Sequence, residues 1–75
     1  MNQHHSEMRR TAVELLLSSK VNLHKRQNVR RALVQARLIP VEADHWEKVR
    51  EAWITCCIAA AKAERLTRLL RERLH

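Results

Sequence analysis

Ala52-Trp53-Ile54-Thr55-Cys56-Cys57-Ile58-Ala59-Ala60-Ala61 is the longest charge-free stretch of the chain, and every residue in it except Thr55 is apolar. A helix that is apolar around its whole circumference has to be enclosed on several sides. The run is far shorter than the about 20 residues needed to cross a bilayer, so no membrane span is expected. It therefore reads as the middle of a long helix packed against protein. From Trp46, alternate steps of three and four reach Val49, Trp53, Cys56, Ala60, Ala63, Thr67, Leu70 and Leu74. That spacing is the heptad seam of helices that pack side by side.

Charge marks the ends of this helix. Glu42, Asp44, Glu47 and Glu51 crowd its beginning and Arg65, Arg68, Arg71 and Arg73 its end, which suits the helix macrodipole at both termini. The expected span is about residues 42–74, on the order of 50 Å at about 1.5 Å per residue. Pro40 fixes its own φ, disfavours helical geometry at Ile39 and offers no amide hydrogen, so a turn is expected at about 39–41.

Upstream, Ser6 is a plausible N-cap with Glu7 in the first turn. Met8, Ala12, Val13, Leu15, Leu16 and Leu17 make an apolar face, which fades from Ser18 to Asn28 and resumes at Val29, Ala32, Leu33 and Ala36. This pattern fits one long imperfect helix over about 6–38, or two helices meeting near Ser19 to Asn22. With no glycine in the chain, the single helix with a weak middle is the expectation, preceded by a mobile tail at 1–5. The fold class is then all-α, a single-domain, two-helix antiparallel hairpin with a long second helix.

Composition points the same way. Of 75 residues none is Gly, Phe or Tyr and one is Pro, so strands and tight turns lack their usual residues while helix formers dominate. Fifteen Lys and Arg against eight Asp and Glu leave a formal charge of +7, compatible with nucleic acid, an anionic membrane surface or an acidic protein. Cys56 and Cys57 are adjacent and have no third cysteine. Neighbouring helical side chains cannot close an ordinary disulfide. Free thiols behind a polar N-terminus without a signal-peptide pattern lead to the expectation of a reducing cytoplasm.

A hairpin folded at Pro40 would set Arg30, Arg31 and Arg37 against Glu42, Glu47 and Glu51, and the apolar belt 52–61 against the polar stretch 19–28. Trp53, Ile54, Cys57 and Ile58 would then lack apolar cover. A chain of this length also buries too little surface to be comfortably stable alone. A second copy or another protein is therefore expected at an interface made by Trp46, Val49, Trp53, Ile54, Cys56, Cys57, Ile58, Ala60, Ala63 and Leu70, and the hairpin would dimerise into a helical bundle.

Chemistry-bearing constellations are sparse. The five histidines and two cysteines lack the spacing of a zinc site, so neither a metal nor another cofactor is expected. Asp44, His45, Glu47 and Glu51 are explained by their place in the first turns of a helix, with no nucleophile elbow or phosphate loop beside them. The chain is read as a non-enzymatic adaptor, co-chaperone or inhibitor. The alternative is a dimeric nucleic-acid-binding regulator: the basic segment Lys20 to Leu33 resembles the end of a helix-turn-helix, with Lys20, Lys25, Arg26, Arg30 and Arg31 as phosphate-contacting candidates.

Pro40, Trp46 and the small-residue belt Cys56 to Ala63, in a short hairpin plan, resemble the small co-chaperones that help hold needle subunits in type III secretion. The resemblance covers the last half of the chain and implies that the belt packs against a helical-repeat chaperone.

Overall fold

The computed structural model describes residues 3–39 and 46–74, with side chains at 6–39 and 47–74. Three helices follow one another: α1 (Gln3–Ser18), α2 (Arg26–Gln35) and α3 (Trp46–Arg73). This corrects the two-helix hairpin. The long first helix expected over 6–38 is broken at 19–25, and helix already begins at Gln3, inside the segment read as a tail. The turn expected at Pro40, the acids Glu42 and Asp44, and the Trp46 side chain lie outside the described residues.

The break is made without glycine. Lys20 takes a left-handed backbone with φ of 57°. Its N–H reaches the Leu17 carbonyl at 3.4 Å and the Val21 N–H reaches the Leu16 carbonyl at 3.3 Å. This pair of bonds is a Schellman cap, which satisfies carbonyls left open at a helix end. The end of α2 repeats the device. Arg37 has φ of 57°, its N–H bonds the Val34 carbonyl at 3.1 Å, and the Leu38 N–H bonds the Leu33 carbonyl at 2.9 Å. Between the first cap and α2, the Asn22 Oδ1 accepts the His24 N–H at 2.9 Å, a local turn typical of asparagine.

The helices share one core. Ala12, Val13 and Leu16 from α1, Leu23 from the connection, Val29 and Leu33 from α2, and Ile54, Cys57 and Ala61 from α3 are buried together. Helical spacing of three and four puts each set on one face of its helix. Leu17, Val21, Ala32, Leu38, Ile39, Trp53, Ile58 and Ala60 pack around this centre. The Trp53 indole N–H donates to the Leu38 carbonyl at 2.8 Å and ties α3 to the segment just past α2.

α1 and α3 run in the same direction, since contacts climb both helices together. Arg10 and Glu64 line one cleft, Glu14 pairs with Arg68 at 2.6 Å, and Leu17 lies beside Leu69 and Glu72. A hairpin would have reversed that order. Because α1 returns through α2 before α3 begins, the leucine-rich face of α1 lies on the belt, and the 19–28 stretch contributes its apolar Val21 and Leu23 to the same core. Trp53, Ile54, Cys57 and Ile58, expected to lack cover within the chain, obtain it from α1, α2 and the segment between them. The mismatch from which a partner was first argued is absent.

Candidate functional site

α3 is apolar over nearly its whole circumference in its middle, so it offers two seams, and the fold uses one. At about 100° per residue, Ile54, Cys57 and Ala61 share the inward side and are each 0% exposed. On the opposite side, Val49, Ala52, Cys56, Ala59, Ala63, Leu66 and Leu70 follow alternate steps of three and four, and all are exposed. The larger members stand out: Val49 is 41% exposed, Leu66 58%, Leu70 52%, and the adjoining Leu69 and Leu74 are 50% and 85%. Singly exposed leucines are ordinary, whereas a contiguous apolar strip marks a contact surface.

The residues expected at a partner interface are divided by this geometry. Val49, Cys56, Ala63 and Leu70 lie on the outer strip. Ile54 and Cys57 belong to the chain's own core, and Trp53, Ile58 and Ala60 are half-buried around it. The seam expected through Trp53, Cys56, Ala60 and Ala63 therefore mixes two faces. Ala52, Ala59 and Leu66 were missed, and their signal was present as a second three-and-four series starting at Val49, which shares Val49, Cys56, Ala63 and Leu70 with the seam starting at Trp46. Leu69, beside this series, was missed as well, and Leu74 belonged to the expected seam but not to the expected interface.

The two thiols sit in opposite surroundings. Cys56 is exposed and Cys57 buried. Burial, reinforced by the neighbouring Cys56 and only partly opposed by Arg9, pushes the Cys57 thiol up to about 12 from 9.0. Reactivity follows the exposed thiolate, so Cys56 is the thiol open to chemistry.

The basic residues proposed for phosphate contact are likewise split. Arg26 donates from Nε and Nη2 to Glu51 Oε2 at 2.9 and 2.7 Å, and from Nη2 to the Glu51 carbonyl at 2.6 Å. Arg30 stands 3.9 Å from the same carboxylate. Both charges are thus partly answered within the fold. Lys20, Lys25 and Arg31 are exposed. On the other flank Arg68 bridges Glu14 at 2.6 Å and Glu64 at 3.1 Å, and those two hydrogen bonds hold its guanidinium above its ordinary pKa.

Among the described residues no group of three His, Cys, Asp or Glu side chains is placed to hold a metal ion, and no helix is long and apolar enough to cross a membrane. The cleft between α1 and α3, lined by Ser6, Arg9, Arg10, Val13, Glu14, Ala60 and Glu64, presents charge to solvent. No protein-family model, curated protein or solved structure matches the chain.

Proposed function

We propose that this chain is a small non-enzymatic protein-binding module, of the adaptor, co-chaperone or inhibitor kind, which docks the outer face of α3 on a larger protein. One observation carries the proposal: exposed apolar side chains continue from Val49 to Leu74 along a single helix. Full burial of such a side chain is worth about 1.5–3 kcal/mol, and Val49, Leu66 and Leu70, with about half of their surface in water, each forgo a part of it, a substantial sum for so small a domain. A reducing interior such as the cytoplasm suits two unpaired thiols and belongs to the same proposal.

The test is affinity capture from host extract with the chain as bait, beside a Leu66→Glu/Leu70→Glu bait of equal helicity. Proteins held by the first and lost by the second, with nuclease making no difference, support the docking face. Equal capture by both baits refutes it.

A nucleic-acid reading is favoured by one feature of the fold. The turn missing from the sequence pattern is supplied at 19–25, so α2 is a separate helix whose start carries Lys25 and Arg26. Lys25 there opposes the helix dipole and makes no side-chain cap hydrogen bond, which suggests a use other than stability. A salt-dependent mobility shift abolished by Lys20→Glu/Lys25→Glu would support this reading, and no shift at low salt removes it.

A further inference from the structure

A cleft of about 370 Å³ lies where the end of α1 and the connection 19–25 meet α3, a size within the range of small-molecule sites. Leu16, Leu17, Val21 and Leu23 form its apolar walls, and Lys20, Asn22 and Arg65 complete the lining. Leu16 and Leu23 are buried in the core, whereas Lys20, Asn22 and Arg65 are exposed. The cleft thus has an apolar floor and a polar rim. Arg65 follows Ala61 by one helical turn, which puts it on the inward side of α3, opposite the outer strip.

The rim consists of donors. Among the described residues the ion pairs join Arg26 and Arg30 to Glu51, Arg50 to Glu47, and Arg68 to Glu14 and Glu64, so Lys20 and Arg65 take part in none. The Asn22 Oδ1 accepts the His24 N–H at 2.9 Å, which leaves Nδ2 as the end of that side chain available to donate. No carboxylate lines the cleft. Three other clefts carry their own counter-charge: Glu14 and Glu64 accompany Arg9 and Arg10, Glu51 accompanies Arg26 and Arg30, and Glu72 accompanies Arg68 in the cleft that borders Arg65 on its far side.

We infer that this cleft binds an amphipathic anion, a carboxylate carried on a compact apolar body such as a medium-chain acyl group. The carboxylate lies between Lys20 and Arg65, whose guanidinium can meet both of its oxygens at once, with Asn22 as a further donor. The hydrocarbon covers Leu17 and Val21 above the buried Leu16 and Leu23. Charge complementarity selects an anion, and the floor selects an apolar body: a bare anion would use the donors and leave the floor in water. A nucleobase or sugar would bring polar groups against walls that cannot answer them. The site needs no macromolecular partner and is independent of the docking face.

Titration of the isotope-labelled full chain with octanoate, kept below its micelle concentration and followed by backbone amide chemical shifts, tests the site. Saturable shifts are expected at Lys20 to Leu23 and at Arg65, with octanoate bound about tenfold or more tighter than acetate. Lys20→Gly removes the cation at a left-handed position that glycine fits, so that variant keeps its fold. Lys20→Gly/Arg65→Gln is expected to weaken octanoate binding by about tenfold or more. Arg71→Gln, which removes a cation of α3 outside the cleft, is expected to leave it unchanged.

The absence of saturable shifts, shifts centred on Leu66 and Leu70 instead, or undiminished binding by the double variant overturns the inference. So does acetate or inorganic phosphate bound as tightly as octanoate, which reduces the cleft to a bare anion site. A duplex oligonucleotide that moves these amides where octanoate does not assigns Lys20 to the nucleic-acid reading and removes the inference. Capture of proteins through Leu66 and Leu70 is read separately, so the docking face and the cleft can each fail alone.

Discussion

Lys20 and Arg37 both hold φ of 57°, a conformation in which a Cβ crowds the following carbonyl and costs about 1–2 kcal/mol. The chain accepts this twice because each cap closes two hydrogen bonds and leads directly into apolar residues, Val21 after the first and Leu38 after the second. Replacing Lys20 or Arg37 by glycine is expected to stabilise the fold by about 0.5–1 kcal/mol each, part of the relief being offset by the entropy of glycine in the unfolded chain. Urea denaturation midpoints measure this. A loss of stability in both variants would contradict the left-handed caps.

Cys57 gives a second prediction at this scale. Its folded pKa of about 12 lies above the ordinary 9.0, so the fold favours the protonated thiol. The unfolded chain releases that proton first as pH rises. The stabilising contribution is therefore complete below about pH 9 and is lost progressively toward about pH 12. Thermal melts between about pH 8 and about pH 10.5 should show a steeper fall for the wild type than for Cys57→Ala, whose starting stability is lower. Parallel slopes would place Cys57 in water. Maleimide labelling of the native chain should modify Cys56 alone.

α2 is the weakest element by its own sequence. Its N-cap position is Lys25, which makes no side-chain cap hydrogen bond, and its first turn holds no acid. It persists because Val29 and Leu33 are buried and because Arg26 grips Glu51 of α3. Lys25→Asp should add about 1 kcal/mol by capping the free amides, and Glu51→Ala should remove under about 1 kcal/mol, as befits an exposed pair. Hydrogen exchange resolved by residue would show α2 amides opening before those of α3, and the Lys25→Asp variant would narrow that gap. α3 stands differently: Glu47 opens it and Arg71 and Arg73 close it. Its limits, Trp46–Arg73, fall inside the 42–74 span that charge and periodicity indicated.

For the whole molecule the central contrast is between the two sides of α3. Ile54 is fully buried and Leu70 half exposed. Ile54→Ala should cost about 2–5 kcal/mol at any protein concentration, by lost burial and the cavity left behind. Leu70→Ala should cost under about 0.5 kcal/mol at low protein concentration, and more where the outer face is occupied, because binding adds to apparent stability by mass action. Melts over a hundredfold concentration range would separate the two. Equal effects at all concentrations would leave the outer face without an occupant.

Helical character and the long charged-ended last helix were legible from residue types and their order, because propensity and dipole are local properties. The sequence alone also determined that α3 carries more apolar surface than one neighbour can cover. Which half of that surface turns inward was left to the tertiary structure: an apolar circumference has no phase, so nothing local separates the side of Ile54, Cys57 and Ala61 from the side of Val49, Cys56 and Leu70 until α1 and α2 pack on the first. The break at 19–25 was decided at the same level. A left-handed lysine is unfavourable by itself, and only the burial of Leu16, Leu23 and Val29 around it outweighs what that turn costs the backbone.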